Sequence, residues 1–339
     1  MEKIVTIKTI ANNTNLSLTT VSRVLNGSAE KYRIAAKTAK LVLEEANRVG
    51  YIPNMAAKTL RLNKSRTIGL LLPSLSNPFF SLVASTVNQL LYTRGYVVLM
   101  SDCNNDKDEE KKLLRTMLSQ NLMGLLVIPT GEKKNFVDLT SSRLPSIFID
   151  RYFKDVAFNH VATDHYGSVQ QLMGLLYENG HREIACIQGD LNVMSNMLRI
   201  DGYKNFIKDQ NLEYSYIGGS SFTSEEGYIE TKILLQKQER PTAILALSDT
   251  ILLGVLKALK EEKLQVPDQM SVVSIDNSEY LDYLEVPITS VSQPVRQISN
   301  LAAKLLLGLI EAPVDTKTQD NHSILLESHI IHRSSVLKR

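Results

Sequence analysis

From Thr67 onward, continuous apolar runs alternate with amphipathic stretches, and no other feature restricts the possible folds of this chain as strongly. Ile68–Pro73 reads as a strand, Phe79–Arg94 as a helix and Tyr96–Ser101 as a strand. Asp106–Gln120 is then a helix, and Leu122–Pro129 and Ser146–Asp150 are strands. The cycle restarts after Asp164, with a helix to Tyr177, a strand over Ile184–Gln188 and a helix from about Ser195 to Asp209. Further on, Ala243–Leu247 and Val272–Ile275 are strands around an Ile251–Glu262 helix. Strands that are apolar at every position suit parallel sheets buried on both faces. Two such series in succession predict two doubly wound α/β lobes.

The first 66 residues do not share this pattern, and a chain of 339 residues has room for a small module beside the larger body. Charge divides at the same place. Residues 1–66 hold 12 Lys/Arg against 4 Asp/Glu, whereas the rest holds 26 against 32, so an overall net of +2 conceals a basic segment on an acidic body. That asymmetry points to a polyanionic partner for the first segment alone, with a merely solvated basic face as the alternative. No apolar stretch ahead of a small-residue cleavage site follows Met1. The longest apolar runs fall far short of the roughly 20 residues that span a bilayer. A cytoplasmic location with no membrane contact is expected. Cys103 and Cys186, the two cysteines, lie in or beside apolar runs and are expected to be buried free thiols.

Within the basic segment, Thr6 can N-cap a helix from Ile7 to about Asn13. Asn15 tolerates a left-handed backbone and so suits a sharp turn. Ser17 restarts a helix as N-cap, with Val21, Val24 and Leu25 facing inward, and Asn26-Gly27 closes it. A third helix is expected from about Ala35 to Val49, with Leu41, Leu43 and Ala46 among its inward candidates. Two short helices around a tight turn, braced by a third, make a helix-turn-helix. Its second helix would expose Leu18, Thr19, Ser22 and Arg23, which can read base edges, touch a thymine methyl or reach phosphate. A protein-binding three-helix bundle is the bland alternative. Asn54–Arg61 can form a further short helix, marginal by itself because nucleation is costly. It is either a linker or a segment that folds on binding.

Thr6-Ile7-Lys8-Thr9-Ile10-Ala11, the run Ser17–Gly27 and Gly50-Tyr51-Ile52-Pro53-Asn54 closely resemble the head of the LacI (lactose repressor/GalR) family of bacterial transcriptional regulators. The resemblance continues in order through Ser76–Phe80, Ile149-Asp150-Arg151, Gly180-His181-Arg182, Arg199–Tyr203, Ser224–Tyr228, Pro241–Ile244, Met270–Asp276 and Thr289–Pro294. It implies a helix-turn-helix DNA-binding domain over 1–53, a hinge helix and linker over 54–66, and an effector-binding and dimerisation domain over 67–339. That last domain would have the periplasmic-binding-protein type I fold, with chain crossings between lobes near Thr163, Gln293 and His322. The N-lobe is then about 67–162 with 293–322, and the C-lobe about 163–292 with 323–339.

The same resemblance places Leu18, Thr19 and Arg23 at base-reading positions in the major groove. It places Thr6, Ser17, Thr20, Ser22 and Asn26 among flanking contacts. Asn54 opens the hinge helix, Ala57 faces the minor groove, and Leu60 wedges between central base pairs. Departures are Thr9, where the family commonly has Asp, Asn15 in place of a frequent Gly, and a Gly27–Ala35 turn without the usual Val-Ser pair.

In doubly wound sheets, ligands sit outside the carboxyl ends of the strands. The polar loops there are Ser76–Phe80, Asp150-Arg151, Ser248-Asp249 and Asp276-Asn277. Carboxylates with an arginine and aromatic walls suit a polyhydroxylated ligand, since Asp accepts from vicinal hydroxyls, Arg donates and a ring face takes the CH surface. The resemblance assigns effector binding to Asn77, Phe79, Phe80, Asp150, Arg199, Phe222, Ser248 and Asp276, foremost Arg199 and Asp276. Their structural alternatives are an interlobe salt bridge and a strand-end turn. Ser248 departs from a frequent Asn.

The charge run Asp106–Lys112 is expected to be a solvated face. No metal-ligand spacing, Walker loop, Gly-x-Ser-x-Gly or dinucleotide fingerprint occurs, so no enzyme and no cofactor is expected. The expected protein is a homodimeric regulator of a palindromic operator in double-stranded DNA, a repressor controlled by a sugar or sugar phosphate. The alternatives are a purine-like corepressor gripped by Phe79, Phe80 and Phe222, or a sugar-binding protein without DNA.

Overall fold

The structure is a computed structural model and describes residues 5–51, 65–142, 144–153, 158–312 and 322–339. The chain divides into two compact units, Met1–Ser65 and Arg66–Arg339.

In the first unit, α1 (Ile7–Thr14), α2 (Leu18–Leu25) and α3 (Ala36–Arg48) enclose a core of Ile10, Ala11, Val21, Val24, Val42 and Ala46. Asn15 ends α1 in the left-handed region at φ 53°, and the Ser17 hydroxyl accepts the Thr20 N–H at 3.1 Å to open α2. Leu41 and Leu43, expected inside, are 47% and 49% exposed. The buried stripe of α3 runs instead through Ala39, Val42, Ala46 and Val49, whose 3-4-3 spacing follows one helical face. Helical phase outweighs side-chain bulk here, and the two leucines flank the stripe.

The second unit contains two six-stranded sheets. The strands in chain order are β1 (Thr67–Leu72), β2 (Val97–Asp102), β3 (Gly124–Val127), β4 (Ser146–Ile149), β5 (Asn159–Thr163) and β6 (Ile184–Ile187). They continue with β7 (Tyr216–Gly218), β8 (Ala243–Ala246), β9 (Ser271–Ile275), β10 (Thr289–Ser292), β11 (Ser323–Leu326) and β12 (His329–Ile331). The first sheet has the order β11-β5-β4-β3-β1-β2, with every neighbouring pair parallel. The second has the order β12-β10-β9-β8-β6-β7, parallel except where β12 runs against β10.

The helices are α4 (Pro78–Thr93), α5 (Lys107–Ser119), α6 (Val137–Ser141), α7 (His165–Glu178), α8 (Met194–Asp209), α9 (Ser224–Leu235), α10 (Asp249–Glu261) and α11 (Val295–Glu311). On the first sheet, α4 and α11 share a core with Leu70 and Leu72, while α5 and α6 cover Leu71 on the opposite face. On the second, α7 and α8 pack on Ala243 and Leu245, and α9 and α10 pack on Ile244 and Ala246. Successive strand residues point to opposite faces, and both faces of the central strands are covered, which is why β1, β3, β4, β6 and β8 are almost wholly apolar.

The chain leaves the first sheet after Thr163 and returns after Ser292, when α11 packs back on it. The third crossing lies at Glu327–Ser328 rather than near His322. Ser323–Leu326 still pairs in parallel with His160–Thr163 at the edge of the first sheet, so 323–326 belongs to the N-lobe and leaving at His322 would forfeit that ladder.

The Asp106–Lys112 run is not wholly solvated either. Glu110 is buried and accepts N–H bonds from Thr130 and Gly131 at 2.5 and 2.8 Å, and from the Asn135 amide at 3.1 Å. Cys103 and Cys186 are free and buried. Among the described residues, no helix is long and apolar enough to cross a membrane.

Candidate effector cavity and DNA-reading helix

The eight residues assigned to effector binding all line one cavity of about 470 Å³ at the carboxyl ends of the strands. Asn77 is the N-cap of α4, and its Oδ1 accepts the N–H groups of Phe79 and Phe80 at 2.9 and 3.4 Å. Pro78 follows at the first helical position, where its missing N–H costs nothing. This start sets Phe79 and Phe80 into the wall, edge to face with an interplanar angle of 83°. Ser248 likewise caps α10 by accepting from Ile251 N–H at 3.1 Å, which leaves its own proton to donate. Phe222 lies so close over Gly189 that a Cβ there would stand 2.4 Å from its ring. Glycine at that position therefore admits the aromatic wall.

Asp150 and Asp276 follow β4 and β9 with φ of 63° and 73°. Left-handed backbone is uncommon outside glycine, although Asp tolerates it better than most. The two carboxyls differ in their electrostatics. Burial and the neighbouring Asp249 push Asp276 up to about 7, against the pull of Arg199 and a hydrogen bond from Gln293. Burial alone would raise Asp150 too, but a hydrogen bond from the His165 ring and the charges of Arg151 and Arg199 outweigh it and hold that carboxyl below its usual range.

Arg199, buried on α8, donates from Nη1 to the Leu247 carbonyl at 2.7 Å and lies 3.3 Å from His165 Nδ1 through Nη2. A carbonyl and an imidazole hold it, with no carboxylate taking either bond. Arg151 donates to the Pro129 carbonyl at 3.0 Å and rests 5.1 Å from the Phe80 ring centre. Burial lowers its pKa, against the pull of Asp150. Among the described residues, three buried polar atoms beside this cavity lack an aligned hydrogen-bond partner: Arg151 Nε, Arg199 Nε and Asp150 Oδ1, which His165 Nε2 approaches to 3.2 Å. Buried groups of this kind are normally satisfied, so Asp150, Arg151 and Arg199 hold unused bonding capacity beside the cavity.

Arg151, Asp190, Ser195, Ser221 and Gln293 also line the cavity without having been assigned to it. Arg151 was legible beside Asp150. Gln293 was named only as a crossing, yet it accepts from Thr163 at 2.6 Å and donates to Asp276, joining two crossings to the site.

In the basic unit, Leu18 and Thr19 stand exposed on the outer face of α2, Leu18 at 52%. Thr20 is half-buried with its hydroxyl 2.9 Å from that of Ser17, and Asn26 donates to the Ser22 carbonyl at 2.7 Å. The Arg23 guanidinium stacks 3.9 Å from the centre of the Tyr32 ring, a partner that sequence reading missed. The Thr6 N–H donates to Thr9 Oγ1 at 3.2 Å, so Thr9 performs part of the task an acid would perform there. Asn54, Ala57 and Leu60 lie outside the described residues.

Residues 6–54 match the model of bacterial regulatory proteins of the lacI family, and residues 173–336 match a periplasmic binding protein-like domain. The chain belongs to the LacI family. This LacI-family chain is 29% identical over 341 residues to the HTH-type transcriptional repressor PurR of Aliivibrio fischeri strain MJ11, covering 98% of the chain and 99% of that protein. It is 28% identical over 335 residues to the ribose operon repressor of Haemophilus influenzae, covering 98% of each. The lac repressor dimer bound to operator and the anti-inducer ONPF shares its fold, with a TM-score of 0.88 at 24% identity over 99% of this chain and all of that one. A complex of the transcriptional regulator CelR with cellobiose matches with a TM-score of 0.72 at 25% identity, over 98% of this chain and 99% of that one. As a member of this family the protein is a DNA-binding transcriptional regulator governed by a small effector, and not an enzyme.

Proposed function

We propose that this LacI-family regulator is a cytoplasmic homodimeric repressor of a palindromic operator, and that its effector is a sugar or sugar phosphate bound in the 470 Å³ cavity. The carrying observation is the set of unpartnered buried atoms, two guanidinium donors and one carboxylate acceptor, beside Asp276 and three phenylalanines. Vicinal hydroxyls offer both a proton and lone pairs and so match such a set, while the ring faces take the apolar side of the sugar. A ribose operon repressor among the relatives and a cellobiose-bound neighbour support the same class. Phe79 and Phe80 stand nearly perpendicular, so a sandwich for a purine-like corepressor, the second reading that a PurR relative favours, would need Phe222 to face one of them.

One α2 covers half of a palindrome, so two-fold pairing is needed to place a second α2 about one helical turn away. Calorimetry of the full chain against pentoses, hexoses, their phosphates and hypoxanthine tests the effector. Saturable binding of one sugar is expected, and binding of hypoxanthine alone would replace the sugar with a base. Arg199→Ala and Asp276→Ala should each abolish the effector response and leave operator binding intact. A normal response in both variants would remove the cavity from consideration.

A further inference from the structure

His165 is the first residue of α7, two positions after β5 ends, and only 1% of it is exposed. It stands between the lobes. On one side, Arg199 Nη2 from α8 lies 3.3 Å from its Nδ1. On the other, its Nε2 lies 3.2 Å from the Asp150 carbonyl oxygen and 3.2 Å from Asp150 Oδ1. A guanidinium has only protons to give, so Nδ1 must be the bare, accepting nitrogen. A neutral ring then carries its proton on Nε2, where it faces oxygen alone. The neighbours on the two sides select the same tautomer. The proton faces two oxygens of Asp150, its carbonyl and its Oδ1, each 3.2 Å away.

Asp150 follows a strand of the first sheet, whereas α8 packs on the second. We propose that His165, which does not line the cavity, is the positioning residue that couples Arg199 in one lobe to Asp150 in the other. This rests on the effector reading of the cavity. With Nη1 held by Leu247 and Nη2 by His165, Arg199 keeps Nε for the ligand. With its carbonyl and its Oδ1 both facing His165, Asp150 keeps Oδ2. The ring therefore preorganises one open donor and one open acceptor on opposite walls, so a ligand that engages both sets the lobe separation. Glutamine can imitate the ring, because its amide oxygen accepts from Arg199 while its amide nitrogen donates to Asp150. Leucine can do neither.

The experiment has a ligand-free arm and a coupling arm, both on the full chain. Nitrogen-15 NMR of histidine-labelled protein at neutral pH should show His165 as the Nε2–H tautomer, assigned by the signal that His165→Gln removes. An Nδ1–H tautomer or an imidazolium there overturns the proposal. In the coupling arm, wild type, His165→Leu and His165→Gln are compared for affinity to a selected operator, with and without ribose and hypoxanthine. His165→Leu should bind operator without ligand within about twofold of wild type but lose at least about tenfold of the ligand's effect, while His165→Gln keeps it within about threefold. A leucine variant that responds like wild type, or leucine and glutamine variants that fail equally, overturns the proposal. A wild type that binds neither probe counts against the effector reading instead, and the tautomer then decides the role of His165.

Discussion

Asp276 carries a proton-dependent energy of opposite sign to that of Asp150, although both end strands in left-handed backbone. Its folded-state pKa of about 7 lies above the ordinary carboxyl value, so the stability it contributes is fully present below roughly pH 4 and is lost as pH rises through about 7. Denaturant unfolding of ligand-free protein should show wild type losing on the order of 2 kcal/mol between pH 5 and pH 8 relative to Asp276→Asn. Parallel pH profiles for the two proteins would contradict this. Asp276, Arg199 and Phe80 were legible because each lies in a short stretch of recognisable sequence. His165 and Gln293 were not, because their partners lie 34 and 130 residues away and no local pattern announces such pairs. Glu110 was misread for a different reason. It shares a helical face with Leu114 and Met117, a phase that could have separated it from its solvated neighbours.

Among the elements, α2 shows most directly how local order serves recognition. Ser17 fixes its start, Val21 and Val24 fix its buried face, and Arg23 lies half-buried, resting on Tyr32. Tyr32 belongs to the turn that departs from the family pattern, so nothing in the resemblance pointed to it. Stacking of this kind restrains the guanidinium before DNA arrives and is worth about 0.5–1 kcal/mol at an exposed site. Tyr32→Ala should therefore lower discrimination for the base that Arg23 reads by about two- to fivefold, and Tyr32→Phe should preserve it. Competition gel shifts against single-base operator variants measure this, and an unchanged preference in Tyr32→Ala would remove the role. Leu60, expected to wedge into the duplex, makes a separate prediction. Leu60→Ala should weaken operator binding by at least about tenfold while effector binding stays at the wild-type level. Equal operator affinity in a gel shift would end the wedge assignment.

For the molecule as a whole, both sheets were readable from the apolar runs because strands covered on two faces leave an unambiguous signature. The short, polar or half-exposed strands β5, β7, β10, β11 and β12 left none, and the third crossing was misplaced by five or six residues in consequence. The crossings Thr163 and Gln293 are bonded to each other and, through Gln293, to Asp276, so the proposed effector cavity is continuous with two of the crossings between the lobes. Effector and operator must then shift each other's affinity by one common factor. Regulation of DNA by this fold requires first that the basic unit reads sequence, and that is directly measurable. Palindromic duplexes selected from a random pool are titrated with the full chain at about 0.15 M salt, beside random duplex of equal length. The selected palindrome should bind at least about 1,000-fold more tightly, with a ratio that moves when the effector sugar is added. Equal affinity for palindrome and random duplex, with every sugar and base tried, would contradict the account.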